Sequence, residues 1–265
     1  MSSVTEAAFE VRIAGWLVEH GGYRLAKIGN VGDGPRDFDA KAGVDTADLF
    51  EFIGATQGSE WARLVDTAYG GDAGKAQSGF VQRLAAELDK RGTVDVLRRG
   101  VVDRNITIRL AYFRPAHGLT PELATLYEAN VLSVTRQLPF DPASGRTVDL
   151  GLFVNGVPVA TAELKNPLTG QSVENAVAQY RSDRPPNNRT LGRVGMVHFA
   201  VDPSSVMMAT RLAGARTRFL PFNRGRDLGA GNPPNPGGHR TAYLWEQVWS
   251  RDAWMDILGR FVHVE

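Results

Sequence analysis

The stretch Val148-Asp149-Leu150-Gly151-Leu152-Phe153-Val154-Asn155-Gly156-Val157-Pro158-Val159-Ala160-Thr161-Ala162-Glu163-Leu164-Lys165 decides how this chain is read. It contains two apolar, β-branched runs separated by Asn155-Gly156, the strongest short-range hairpin signal. Strands this apolar are normally buried. Burying charge costs several kcal/mol per ion unless something neutralises it. Asp149, Glu163 and Lys165 are therefore expected to form either a buried ion network or a cation site. The competing reading, an exposed edge hairpin with solvated charges, fits the apolar flanks poorly.

Strand geometry makes a sharp demand. Glu163 and Lys165 are two residues apart, so a strand places both on one face. A bare two-residue loop would set Asp149 opposite Ala162 and turn it away from Glu163. A three-residue loop, Val154 to Gly156 with Gly156 at positive φ, or a bulge would change the parity and join the two acids. An odd register or a bulge is thus predicted. So arranged, two carboxylates can hold Mg²⁺, with Mn²⁺ as a substitute, and the Leu164 carbonyl is a natural extra ligand. Hydrolysis of a phosphodiester needs such a set, to cancel phosphoryl charge and to activate water, with Lys165 orienting the attacking water or steadying developing charge.

The remaining sequence bounds the class. The 265 residues suffice for one large or two small domains, and 43% hydrophobic with 22% charged residues is ordinary for a soluble globular protein. Thirty Lys and Arg against 29 Asp and Glu leave global charge silent about nucleic acid, so DNA contact would need a local basic surface. The absence of cysteine excludes disulfides, thiol nucleophiles and thiolate zinc sites, and fits a reducing compartment. Residues 1–10 lack a secretory pattern, and no run approaches the roughly 20 apolar residues of a membrane span, so a cytoplasmic protein with no membrane partner is expected.

Along the chain, Thr5 to His20 has helical spacing and stops at Gly21-Gly22. Gly29 to Gly43 reads as loop, and Thr46 to Arg99 as mostly helix with a loop at Tyr69 to Ser78. Asn105 to Phe113 alternates like a strand, and Thr120-Pro121 opens a helix. Strands are predicted at Val131 to Leu138, Thr147 to Val154, Val157 to Leu164, Met196 to Val201 and Ser205 to Arg211, with a helix at Ser172 to Arg181. Arg216 to Arg240 is Gly- and Pro-rich irregular chain, and Trp245 to Phe261 reads as an amphipathic helix or helix pair. This order predicts an α/β fold, a mixed sheet flanked by helices. Residues 1–100 would be a helical N-terminal part packed on the core, 101–215 the core, and 216–265 a connector and terminal helix.

Asp, thirteen intervening residues, then Glu-x-Lys on a hairpin resembles the PD-(D/E)xK nucleases. The run from Val148 to Asn166-Pro167, the following helix with Ala176 and Gln179-Tyr180, and the strings Phe219 to Gly225, Gly231-Asn232-Pro233 and Tyr243-Leu244-Trp245-Glu246 resemble the type I restriction R subunit. The resemblance covers about Tyr127 to Phe261 and implies a restriction-endonuclease-like fold. It implies Mg²⁺-dependent cleavage of duplex DNA without sequence choice of its own, with modification and specificity subunits as partners. Asp149, Glu163 and Lys165 would take the catalytic roles, Asp149, Glu163 and Leu164 the metal.

An N-terminal helical Glu near the metal is implied as well. Glu10 is the best match, with Glu6 and Glu19 competing. Tyr180 keeps a family Gln-x-x-x-Tyr position, but Ala176 replaces the Gln and Gln179 is the adjacent substitute. The family's ATP-driven motor has no counterpart here. Gly70 to Ala76 has the wrong spacing for a phosphate loop and no hydroxyl, so ATP would belong only to an absent motor and the chain is expected to be a fragment or truncated subunit. Arg211, Arg216, Arg218, Arg224, Arg226 and Arg240, with only Asp227 opposing, would bind the DNA backbone; a solvated loop or a contact to the motor are the alternatives. A catalytically weak binding module and a free-standing repair or resolvase-type nuclease are the competing functions. The five histidines, His20, His117, His198, His239 and His263, show no ligand spacing, and His198 is expected to be structural.

Overall fold

Helix α1 (Glu6–Glu19) starts where the Thr5 hydroxyl accepts the Ala8 N–H at 3.2 Å and buries Phe9, Ile13 and Leu17 completely. The computed structural model describes residues 5–26, 35–115, 120–141, 144–166, 170–227 and 229–262. Residues 29–34 of the expected Gly-rich loop, His117, Pro167 and His263 lie outside them. After α1 come the short strands β1 (Arg24–Leu25), β2 (Phe38–Asp39) and β3 (Val44–Asp45). Four helices follow: α2 (Thr46–Thr56), α3 (Gly58–Tyr69), α4 (Ala73–Arg91) and α5 (Thr93–Arg99). The break expected over Tyr69 to Ser78 shrinks to Gly70–Asp72, because the Asp72 carboxylate accepts the Lys75 N–H at 3.0 Å and starts α4 early.

The strand expected over Asn105 to Phe113 is shorter than its alternation suggested. Strands β4 (Val101–Asp103) and β5 (Ile106–Ile108) form a separate hairpin. Beyond it the chain leaves the ladder because side-chain amides replace a neighbouring strand. Gln57 accepts the Arg109 N–H at 2.6 Å and donates to its carbonyl at 3.0 Å, and Asn130 does the same for Tyr112 at 3.1 and 2.6 Å.

The main sheet is built by β6 (Leu132–Asp141), β7 (Arg146–Val154), β8 (Val157–Leu164), β9 (Val197–Val201), β10 (Val206–Ala209) and β11 (Leu220–Pro221), with β1 at its edge. Its order is β1-β6-β7-β8-β9-β10-β11. Two pairings, β1 with β6 and β8 with β9, are parallel and the others antiparallel, so the sheet is mixed as expected. Helix α6 (Pro121–Glu128) precedes β6. Helix α7 (Val173–Ser182) and an unforeseen π-helical turn, Arg189–Val194, fill the crossover from β8 to β9.

Two apolar clusters sandwich the sheet. The larger runs from Phe9 on α1 through the N-terminal helices to Leu258, so those helices share one core with the strands. The smaller joins Tyr180 and Ala176 on α7 to Phe140, Val148, Phe153 and Ala200. The C-terminal amphipathic stretch is interrupted: α8 (Arg251–Asp256) sits between wide turns closed by Trp249 N–H to Leu244 O and Val262 N–H to Ile257 O. Trp249, Trp254 and Trp245 are buried there as packing. No helix among the described residues is long and apolar enough to cross a membrane.

Candidate active site

The hairpin solves its parity problem with a bulge. Val154 pairs with Val157, so the loop is the two-residue Asn155-Gly156, with φ of 49° and 80°. This tip is held from outside. Asn155 is fully buried, accepting from Val131 N at 2.7 Å and donating to the Leu110 carbonyl at 2.8 Å, while the Gly156 carbonyl accepts from Asp45 N at 2.7 Å. The register then slips: Phe153 pairs with Pro158 but Leu152 with Ala160, leaving Val159 unmatched. Past this bulge Leu150 pairs with Ala162, so the next residues, Asp149 and Glu163, stand opposite each other on one face. The three-residue loop is not used, and the bulge supplies the odd count instead.

The ladder between β7 and β8 ends at that point. The Leu164 N–H, which a continuing ladder would pair with backbone, donates to Asp149 Oδ2 at 2.7 Å. A carboxylate thus wedges the strand ends apart. Glu163 is fully buried; its Oε1 accepts from Arg184 Nε at 2.6 Å, and its Oε2 has no hydrogen-bond partner among the described residues. Burial, then the nearby Asp149 charge, push the Glu163 carboxyl up to about 8, against the opposing pull of Arg184 and Lys165. Asp149 is also raised by burial, opposed chiefly by the Leu164 N–H. Lys165 is buried to 7% exposure and its Nζ lies 3.6 Å from Glu6 Oε2.

Helix α1 contributes two acids from one face, at i and i+4. Glu6 meets Lys165, while Glu10 is buried and accepts from Gln137 Nε2 at 2.8 Å. Burial raises the Glu10 carboxyl, the Gln137 hydrogen bond lowers it, and the Asp149 charge raises it further. Glu19 instead lies exposed beside His20. Tyr180 is buried on α7, its hydroxyl 2.8 Å from Thr161 Oγ1, which also lies 2.8 Å from His198 Nδ1. Burial holds His198 down at about 3, so it is a neutral packing partner. Gln179 is half-buried on the same helix, without a hydrogen bond to the three hairpin residues. Arg211, Arg216, Arg218, Arg224, Arg226 and Arg240 are all exposed, along β10, β11 and the connector, and none is bonded to Asp149, Glu163 or Lys165. Arg226 pairs with Asp227 at 3.1 Å, and Arg224 lies over the Tyr243 ring at 5.9 Å.

Two residues at the site carry no sequence signal of their own. Arg184, in Asp183-Arg184-Pro185-Pro186, resembles a solvated loop charge, yet it is 5% exposed, stacks 4.9 Å over Phe140 and donates to the Thr147 carbonyl at 3.0 Å. Gln137 sits in a strand where a polar residue normally faces water.

The donor set suits a hard divalent ion. No three His, Asp or Glu side chains among the described residues form a ready cage. Mg²⁺ needs none, since it binds through one or two carboxylates and keeps waters. The bare Oε2 of Glu163 beside Asp149 is where a cation would relieve the strongest electrostatic conflict in the site. Chemically, the arrangement offers two converging carboxylates, a strand-end carbonyl and an ammonium. A family model described as the type I restriction enzyme R protein N terminus matches residues 83–217. None of the curated proteins matches the chain.

Proposed function

Because the chain belongs to the type I restriction enzyme R protein N-terminal family, we propose that it is a Mg²⁺-dependent endonuclease domain that hydrolyses phosphodiester bonds of duplex DNA. The observation that carries this reading is the bulge at Val159, which sets Asp149 across from Glu163 and leaves Glu163 Oε2 unsatisfied. Asp149 and Glu163 would hold the ion. In a strand a residue's N–H and C=O point the same way, so the Leu164 carbonyl faces the Asp149 side, where its N–H already bonds. Bound there, Mg²⁺, or Mn²⁺ in its place, supplies Lewis acidity and lowers the pKa of a coordinated water.

The chain's own residues do the rest. Asp149 keeps its carboxylate oriented through the Leu164 N–H. Arg184 holds Glu163 Oε1 and so fixes which oxygen faces the site. Lys165, next to Glu163 on the strand, orients the attacking water and donates to charge growing on the phosphoryl oxygens. Tyr180, through Thr161 on the strand below Glu163, packs α7 against the site. The exposed arginines from Arg211 to Arg226 bind the DNA backbone by charge, without base readout. Sequence choice, and coupling to an ATP-driven motor, would come from the modification, specificity and translocating parts of the complex.

The test uses supercoiled plasmid with Mg²⁺ or Mn²⁺, and the parent chain beside Asp149→Ala and Lys165→Ala, with Mn²⁺ binding followed by calorimetry. The expected result is Mn²⁺ binding by the parent, loss of binding in Asp149→Ala, and retained binding without cleavage in Lys165→Ala. A parent that binds no divalent ion overturns the reading.

A further inference from the structure

We propose that Gln137 is a positioning residue that yokes Glu10 of helix α1 to Asp149 of the hairpin, making the N-terminal helix a working part of the metal site. The inference rests on the nuclease reading above and extends it to a residue outside the Asp…Glu-x-Lys pattern.

Gln137 stands in β6 between two in-register pairs, Arg136 with Leu150 and Leu138 with Val148, directly beside Asp149. Its φ is +50°, a left-handed conformation that a non-glycine residue rarely adopts and that costs about 1–3 kcal/mol. Such a conformation persists only where surrounding interactions impose it. Here they are visible. The Gln137 amide nitrogen lies 2.8 Å from Glu10 Oε1 and 3.5 Å from Asp149 Oδ1. The amide oxygen accepts from the Thr147 hydroxyl at 2.7 Å. An ionised carboxylate can only accept, so the NH₂ must face the two acids, which leaves the amide oxygen to accept from the Thr147 hydroxyl.

The consequence is geometric. Two carboxylates from separate elements, one on a helix and one on a strand, repel each other when the site is empty. One amide with two N–H groups spans them at low cost, because it carries no charge to bury. Gln137 is exposed while Glu10 is 4% exposed, so the amide holds the two acids from the solvent side and keeps their spacing when a cation binds. A Glu or Lys at this position would add a charge where the site already balances several. Gln is the residue that tethers without titrating.

The test is calorimetric Mn²⁺ binding to the full chain, with thermal unfolding in parallel. Gln137→Leu keeps the bulk and removes the donor, and is expected to weaken Mn²⁺ by about tenfold or more, the usual effect of losing an outer partner of a metal ligand. Gln137→Gly relieves the left-handed strain, so it should raise the Tm yet lose the same affinity; a merely structural Gln137 would leave affinity untouched in that variant. Glu10→Gln should weaken binding as well, and combining it with Gln137→Leu should add little further loss. If Gln137→Leu misfolds, Gln137→Gly alone decides. Affinity within twofold of the parent in the glycine variant, or fully additive losses in the double variant, overturns the proposal while leaving the nuclease reading standing. A parent that binds no Mn²⁺ overturns both.

Discussion

Glu163→Gln exchanges the buried acid for a neutral side chain of the same shape, and its effect on stability should depend steeply on pH. In the unfolded chain the Glu163 carboxyl has its ordinary pKa of 4.5, and in the fold burial and the Asp149 charge push it up to about 8. Between those values the folded state binds one more proton than the unfolded one, so stability falls as pH rises, by about 1.4 kcal/mol per pH unit. The stabilising contribution is complete below about pH 4.5 and gone above about pH 8. Across an interval of about 3.5 pH units this amounts to about 3–5 kcal/mol, the lower figure allowing for relaxation around the charged form. Glu163 is fully buried, so solvent screening does not reduce it.

The glutamine variant has no such slope. In cation-free buffer it should therefore gain about 3–4 kcal/mol on the parent between pH 5 and pH 8.5, the part of the interval that lies above pH 5, read from urea unfolding at both values. The contrast is a difference of differences, so a uniform loss from an imperfect amide fit to Arg184 cancels. A parent-to-variant gap that stays constant across that range would refute the electrostatic account of the site.

Three other perturbations test the supporting structure. Arg184→Met leaves Glu163 Oε1 without its donor, and should cost about 3 kcal/mol at pH 8.5 and distinctly less at pH 5, where the acid is protonated; denaturant unfolding at both values decides. Gly156→Ala adds a Cβ 2.2 Å from the Asp45 carbonyl oxygen at a φ of +80°, so it should destabilise by about 2 kcal/mol or more in urea, and a neutral result would contradict the docking of the hairpin tip on α2. Deleting Val159 removes the bulge but leaves the same pairs in a flush two-residue hairpin, with Asp149 still opposite Glu163, so the folded variant should bind Mn²⁺ as the parent does; a loss as large as in Asp149→Ala would show that the site does not rest on the register.

Much of this architecture is legible in the sequence because it follows local rules. Asn155-Gly156 announces the hairpin, Thr5 and Thr120-Pro121 mark helix starts, and the apolar runs of β6 to β9 announce a buried sheet. Even the bulge follows from the proposed function, under which the two acids share a cation and so must stand on one face. What escapes the sequence depends on contacts distant along the chain. Gln57 and Asn130 each satisfy a backbone unit that would otherwise pair with a strand, and so end a run whose alternation promised more. Arg184 reads as a loop charge because nothing in its neighbours reveals that Glu163, twenty-one positions away, lies within 2.6 Å.

The same distinction explains why the site is assembled as it is. The hairpin alone supplies Asp149, Glu163 and Lys165, but three such residues on a bare hairpin would face water and bind cations weakly. Burial gives them their force, and burial comes from elsewhere. Helix α1 brings Glu6 and Glu10, the segment after α7 brings Arg184, and α7 itself closes the face through Tyr180. Each added element neutralises one charge of the hairpin or covers one of its surfaces. One carboxylate oxygen, Glu163 Oε2, remains buried and unpartnered among the described residues. A fold selected for stability alone would have replaced that atom or paired it, because an unsatisfied buried acid costs several kcal/mol. Under the proposed function, a cation supplies the charge that this oxygen lacks.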